Sequence, residues 1–136
     1  MLIFLSSLSM AQLPYEQLWT SLLERHVVSS VKKRITGNLV NYSSLSESQT
    51  FRSIVRYLDS VDPDQFNTKN EQLAFWLNIY NIGVNRLVLD NYPLLSIKDA
   101  GSPSAPFWEQ RPISVGGSRY SLREIEAKIL KPLNDN

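Results

Sequence analysis

Apolar residues fall into a few periodic blocks, separated by proline, glycine and serine. In the first block Leu18, Trp19, Leu22, Leu23, His26, Val27 and Val31 recur on one face of a 3.6-residue period. Pro14 suits a helix start, and Glu16 opposes the positive end of the helix dipole. Lys32, Lys33 and Arg34 suit the other end, and Gly37 supplies a stop. The spacing predicts a helix over 15–33. Leu39-Val40-Asn41-Tyr42 predicts a short extended segment running into a serine-rich turn. A second helix is predicted over 47–60, with Ser46 as its cap and Phe51, Ile54, Val55 and Leu58 as its buried stripe. Asp62-Pro63 closes it, because a residue before proline is pushed out of helical space.

Thr68 and Glu71 form a T-x-x-E capping box. The helical pattern then runs over 69–91, about 34 Å at 1.5 Å per residue. Leu73-Ala74-Phe75-Trp76-Leu77 is apolar around most of the circumference, which marks a central helix covered on several sides. A short strand is predicted over 94–97 and a loop over 101–106. Pro112 to Val115, Gly116-Gly117 and Ser118 to Tyr120 read as a hairpin with a two-glycine turn. Ser121 and Glu124 make a second capping box, opening a short helix over 122–131 that Pro132 stops. These elements define a mainly helical α+β fold with a long buried central helix and a small β-hairpin. They form a single domain over 12–136.

Composition narrows the chemistry. There is no cysteine, so disulfides, thiolate nucleophiles and zinc–cysteine sites are excluded within these 136 residues. His26 is the single histidine, which removes a multi-histidine metal site and most triads. Lys and Arg total 14 against 13 Asp and Glu, a balance that gives no nucleic-acid footprint. The basic triplet 32–34 then reads as charges solvating a helix end. Residues 2–10 are mostly apolar but far short of the roughly 20 residues a membrane span needs. They have the length of a signal-peptide core, and Ser9 and Ala11 are the small residues that precede cleavage, although a basic leader is missing. Residues 1–11 are therefore read as a signal remnant, with a periplasmic or secreted location expected and a cytoplasmic one if they merely pack on the domain.

Polar residues in apolar places are the candidates for function. Asn78, Asn81 and Asn85 fall within about 60° of one another on the central helix. Asparagine is a poor helix-interior residue. The line is a ladder that holds a neighbouring loop, a solvent stripe, or a ligand contact. Glu126 sits among Leu122, Ile129 and Leu130 at i, i+4, i+7, i+8, which predicts a carboxylate inside an apolar stripe. Such a group pairs with a cation or backbone amides, or works with a shifted pKa. His26 reads as a core histidine satisfied by one or two hydrogen bonds, and Trp76 as an anchor on the face opposite the asparagines. No phosphate loop and no known hydrolase or metalloprotease pattern occurs.

Glu71-Gln72-Leu73-Ala74-Phe75-Trp76-Leu77-Asn78-Ile79-Tyr80-Asn81, then Leu87-Val88-Leu89 and Tyr92-Pro93-Leu94-Leu95-Ser96-Ile97-Lys98-Asp99, resemble the domain of unknown function 547 family, in its bacterial branch. Gly37 to Leu45 is similar to that family's G-x-V-x-Y-x-x-L element, and Ser121 to Glu126 to its S-L-x-x-I-E element. The resemblance spans 15–133. It implies importance for Trp76, Asn78, Tyr80, Asn81 and Glu126. The family's histidine after the I-E pair is replaced by Ala127. Family members continue into a segment with a further histidine and a cysteine, from which a thiol-dependent hydrolase or transferase is conjectured. On that comparison the domain is expected to be incomplete at its C-terminus.

Two functional expectations follow. The first is an exported domain of this family that is non-catalytic as it stands, with no catalytic residue, metal or cofactor assigned. The second is a binding or scaffold module for a small polar ligand or a protein partner, with Trp76, Asn78, Tyr80, Asn81, Asn85 and Glu126 as candidate binding residues.

Overall fold

The computed structural model describes residues 15–32 and 34–135. The signal remnant at 1–11 and the role of Pro14 lie outside them. The fold is mainly helical α+β, as the pattern predicts. It gathers into two compact units, Met1–Ile54 and Val55–Asn136.

In the first unit, α1 (Tyr15–His26) buries Tyr15, Trp19, Leu22 and His26. It stops well short of the predicted end. Residues Val27–Lys32 (β1) and Ile35–Val40 (β2) instead form an antiparallel hairpin, with Val28 opposite Leu39 and Val31 opposite Thr36. Val27 and Val31 fit a helical spacing, but they also fit the period of two. The β-branched run with Ser29 and Ser30 favours the strand. Arg34 turns the chain at φ 65°, and Gly37 lies inside β2 opposite Ser30 rather than ending a helix. The Asn41 amide donates to the His26 carbonyl at 2.7 Å and closes the hairpin base.

Asn41 then caps α2 (Tyr42–Ser46), accepting from the Ser44 amide at 3.1 Å. Ser46 therefore ends α2 instead of opening the next helix. The opening falls to Ser48, whose hydroxyl accepts from the Phe51 amide, and α3 runs Gln49–Leu58. Phe51, Ile54 and Leu58 are buried as predicted, and Val55 is half-buried. The boundary between the two units falls inside α3.

In the second unit, α4 (Lys69–Asp90) opens on the predicted capping box: the Glu71 amide donates to Thr68 and the Glu71 carboxylate accepts from the Thr68 amide. Its buried positions include Phe75, Trp76, Ile79, Ile82, Leu87 and Val88, and Leu77 faces water. Residues 94–97 form no strand. Ser96 accepts from the Lys98 amide and caps a 3-10 turn at Ile97–Asp99. The loop at 101–106 contains two short paired strands, β3 (Gly101–Ser102) and β4 (Ala105–Pro106), followed by a 3-10 turn at Phe107–Glu109.

The two-glycine hairpin forms as predicted. β5 (Ile113–Val115) pairs with β6 (Ser118–Tyr120), and Gly116 and Gly117 take φ 56° and 78°. That pair of signs matches the right-handed twist of the strands. The turn amides of Gly116 and Gly117 donate to the carbonyls of Leu58 and Asp59, at 3.2 and 2.9 Å, satisfying acceptors that a helix end leaves open. Ser114 donates to Asp59 beside them.

The last helix begins as α5 (Leu122–Glu124) on the Ser121–Glu124 capping box. It continues through a π turn, Ile125–Leu130, into α6 (Lys131–Asp135). Pro132 does not stop it. A proline ring normally collides with the carbonyl four residues back. Here the preceding turn bonds five residues back, from the Lys131 amide to the Glu126 carbonyl, and is wider. Gly83 lets α4 approach this helix: a Cβ there would stand 3.0 Å from Leu122 Cδ2.

Candidate functional site

The π turn decides where the C-terminal side chains point. An α-helix advances 100° per residue and a π turn advances less, so the predicted stripe slips in phase. Leu122 and Ile125 are fully buried. Glu126 is not inside the stripe: its side chain is 55% exposed, and its carboxylate stands 3.6 Å from Lys131 Nζ.

Facing outward, Glu126 lines a groove of about 330 Å³ together with Tyr80, Trp108, Arg123, Ala127 and Lys131. Each wall has a local cause. Tyr80 projects from α4 one turn past Trp76, and Trp76 is locked edge-on to Phe75 and Tyr120 at 5.4 and 5.1 Å. Trp108 stands on the 3-10 turn whose buried neighbour, Phe107, meets it edge-on at 4.9 Å. Arg123, Ala127 and Lys131 repeat every four residues and so share a face. Arg123 Nε also binds Glu109 at 2.6 Å, tying the helix to the turn that carries Trp108.

Burial, and then the nearby negative charge of Glu126, push the Tyr80 phenol above its usual range. It therefore stays protonated and presents an O–H. The groove offers one hydroxyl donor, two cations, one carboxylate and two aromatic faces. The Glu126–Lys131 pair is exposed and weak, worth about 0–1 kcal/mol, so a ligand displaces it at little cost. Among the described residues no cluster of three His, Asp or Glu is placed to hold a metal ion, and no helix is long and apolar enough to cross a membrane.

Of the six residues singled out in the sequence, the structure brings Tyr80 and Glu126 together in this groove. Trp76 is a buried member of the aromatic cluster. The asparagine line fastens no loop among the described residues. Asn85 is buried and donates back to the Asn81 carbonyl at 2.9 Å, leaving its Oδ1 unpartnered, while Asn78 is half-buried and Asn81 exposed. His26 is the core histidine expected, 7% exposed, with Nδ1 2.7 Å from Ser44 Oγ. Trp108, Arg123, Ala127 and Lys131 went unremarked as a site, although the spacing of the last three was legible.

The second unit is thus a helix-dominated domain that carries a charged, aromatic-walled groove beside its capped C-terminal helix. Residues 63–135, more than half of the chain, match the family described as "Protein of unknown function, DUF547", and the chain belongs to that family. The match holds the motifs at 71–99 and 121–126 and every residue of the groove; the element at 37–45 lies outside it. No curated protein and no solved structure matches the chain.

Proposed function

We propose that the groove binds a small zwitterion, of the size of an amino acid or dipeptide, without covalent chemistry. The observation that carries this is the convergence of Arg123 and Lys131 with Glu126 and two aromatic faces on one groove of about 330 Å³. A ligand carboxylate suits the two cations. Its ammonium suits Glu126 and the faces of Trp108 and Tyr80, which attract cations through the ring quadrupole. Tyr80, kept protonated by its burial and by the charge of Glu126, supplies a hydroxyl donor to the ligand.

Calorimetric titration with a panel of free amino acids and dipeptides tests the reading. A member of the panel binds, and both Trp108→Ala and Glu126→Gln weaken it about tenfold, the scale of a lost cation–π contact or charge-assisted bond. Binding that survives both substitutions contradicts the proposal. Export is part of the same reading and is supported by the apolar stretch 2–10 with Ser9 and Ala11. Mass analysis of the natively expressed protein then finds cleavage near Ala11; an intact Met1 in the mature protein refutes it.

A further inference from the structure

The first unit contains a second, smaller cavity of about 160 Å³, and its lining has a different chemistry. Arg25, Ser21 and His26 from α1 meet Ser48 and Thr50 from the opening of α3, over a floor of Leu18 and Leu22. No carboxylate lines it. Arg25 forms no ion pair among the described residues, unlike Arg86, Arg111 and Arg123. The hydroxyls of Ser21 and Thr50 carry no partner there either. Ser48 uses its oxygen to accept from the Phe51 amide, so its own proton is free to donate.

His26 adds a second and independent pointer. It is a polar side chain more than nine-tenths buried. Its Nδ1 is engaged by Ser44 Oγ at 2.7 Å, and when Ser44 donates there the ring hydrogen sits on Nε2. Nε2, the other ring nitrogen, has no partner among the described residues. The opening turn of α3, a helix of ten residues, leaves its first amides without intrahelical acceptors, and Ser48 and Thr50 of that turn line the cavity.

We propose that this cavity is a site for a tetrahedral oxyanion, either free phosphate or the phosphate group of a small monoester. The Arg25 guanidinium and the hydroxyls of Ser21, Ser48 and Thr50 line it beside the opening turn of α3. Its volume is that of about five waters at roughly 30 Å³ each, enough for the anion and a short organic group. The site lies outside the span matched by the family and does not depend on the groove reading.

The test is an amide-resonance titration of the full chain with inorganic phosphate, at ionic strength held constant with potassium chloride, and in parallel with glycerol 3-phosphate. Phosphate produces saturable shifts at residues 25, 26 and 48–51. Arg25→Gln weakens binding about tenfold or more, as expected for a lost charged hydrogen bond, Arg25→Lys weakens it less, and the control Arg86→Gln, which does not line the cavity, leaves it unchanged. Thr50→Val keeps the side-chain shape and weakens binding about threefold, which decides the matter even if Arg25→Gln fails to fold. Tighter binding of glycerol 3-phosphate assigns the site to monoesters; equal or weaker binding assigns it to the free anion. Shifts that never saturate, that chloride reproduces, or that persist in Arg25→Gln and Thr50→Val overturn the proposal.

Discussion

The chain builds two β-hairpins of similar design and very different standing. β5–β6 buries Ile113 at 0% and Val115 at 1% exposure, and its glycine turn donates to the end of α3. β1–β2 leaves Val28, Val31 and Leu39 at 52%, 70% and 52% exposure and is held at its base by the Asn41–His26 bond. The contrast separates two sources of hairpin stability. One rests on burial and turn docking, the other on the cross-strand ladder and local propensity. A two-stranded ribbon on its own is marginal in water, so the first hairpin is the softer of the two.

Three sets of substitutions break or sharpen that comparison. Ile113→Ala removes a fully buried side chain and costs about 3 kcal/mol, whereas Val31→Ala changes stability by less than about 0.5 kcal/mol; urea unfolding reads both. Equal effects would erase the distinction. Gly116→Ala forces an L-residue into positive φ, with its Cβ 2.9 Å from the Val61 carbonyl oxygen. It costs about 2 kcal/mol, while Gly37→Ala, where nothing lies within 4 Å, stays within about 0.5 kcal/mol.

The third concerns Glu124, which locks the base of β5–β6. It accepts from the Ser121 amide and from Arg111, which also donates to the Arg119 carbonyl. The Ser121 amide, and secondarily Arg111 and Lys128, hold the Glu124 carboxyl below the usual carboxylate range. The unfolded chain therefore binds more protons across that interval. The contribution is fully present above the ordinary carboxylate range and is lost as the pH falls through the lowered folded value. Glu124→Gln costs about 1 kcal/mol at neutral pH, since glutamine still accepts from the Ser121 amide and what is lost is the charge on that bond and on the half-exposed Arg111 pair. In thermal melts the gap between this variant and the parent closes in acid; a gap that widens there contradicts the assignment.

The same contrast explains what was legible in the sequence. Gly116-Gly117 announces its hairpin because only a turn of that hand needs two positive φ angles. The Thr68–Glu71 and Ser121–Glu124 boxes announce their helices because each names both partners of a reciprocal bond. Val27 and Val31 announce nothing unique: four residues apart, they satisfy both the helical and the extended period. Ser46 and Ser48 are equally good caps by type, and only the α2 turn at Asn41 decides between them. The groove was half-legible. Tyr80 and Glu126 were singled out, but Glu126 for the wrong reason, since a stripe computed at 100° per residue cannot anticipate a π turn. Trp108 was hidden because its placement depends on Phe107 and on the Arg123–Glu109 pair, which are contacts of the fold rather than of the chain.

The central claim is that the Tyr80–Trp108–Glu126 groove is where this domain meets its ligand. The most direct measurement is the set of intermolecular nuclear Overhauser effects from the tightest-binding amino acid or dipeptide to the aromatic protons of the protein. The account predicts cross-peaks to the Trp108 indole and the Tyr80 ring. Cross-peaks confined to other side chains, or no bound zwitterion at all, would contradict it.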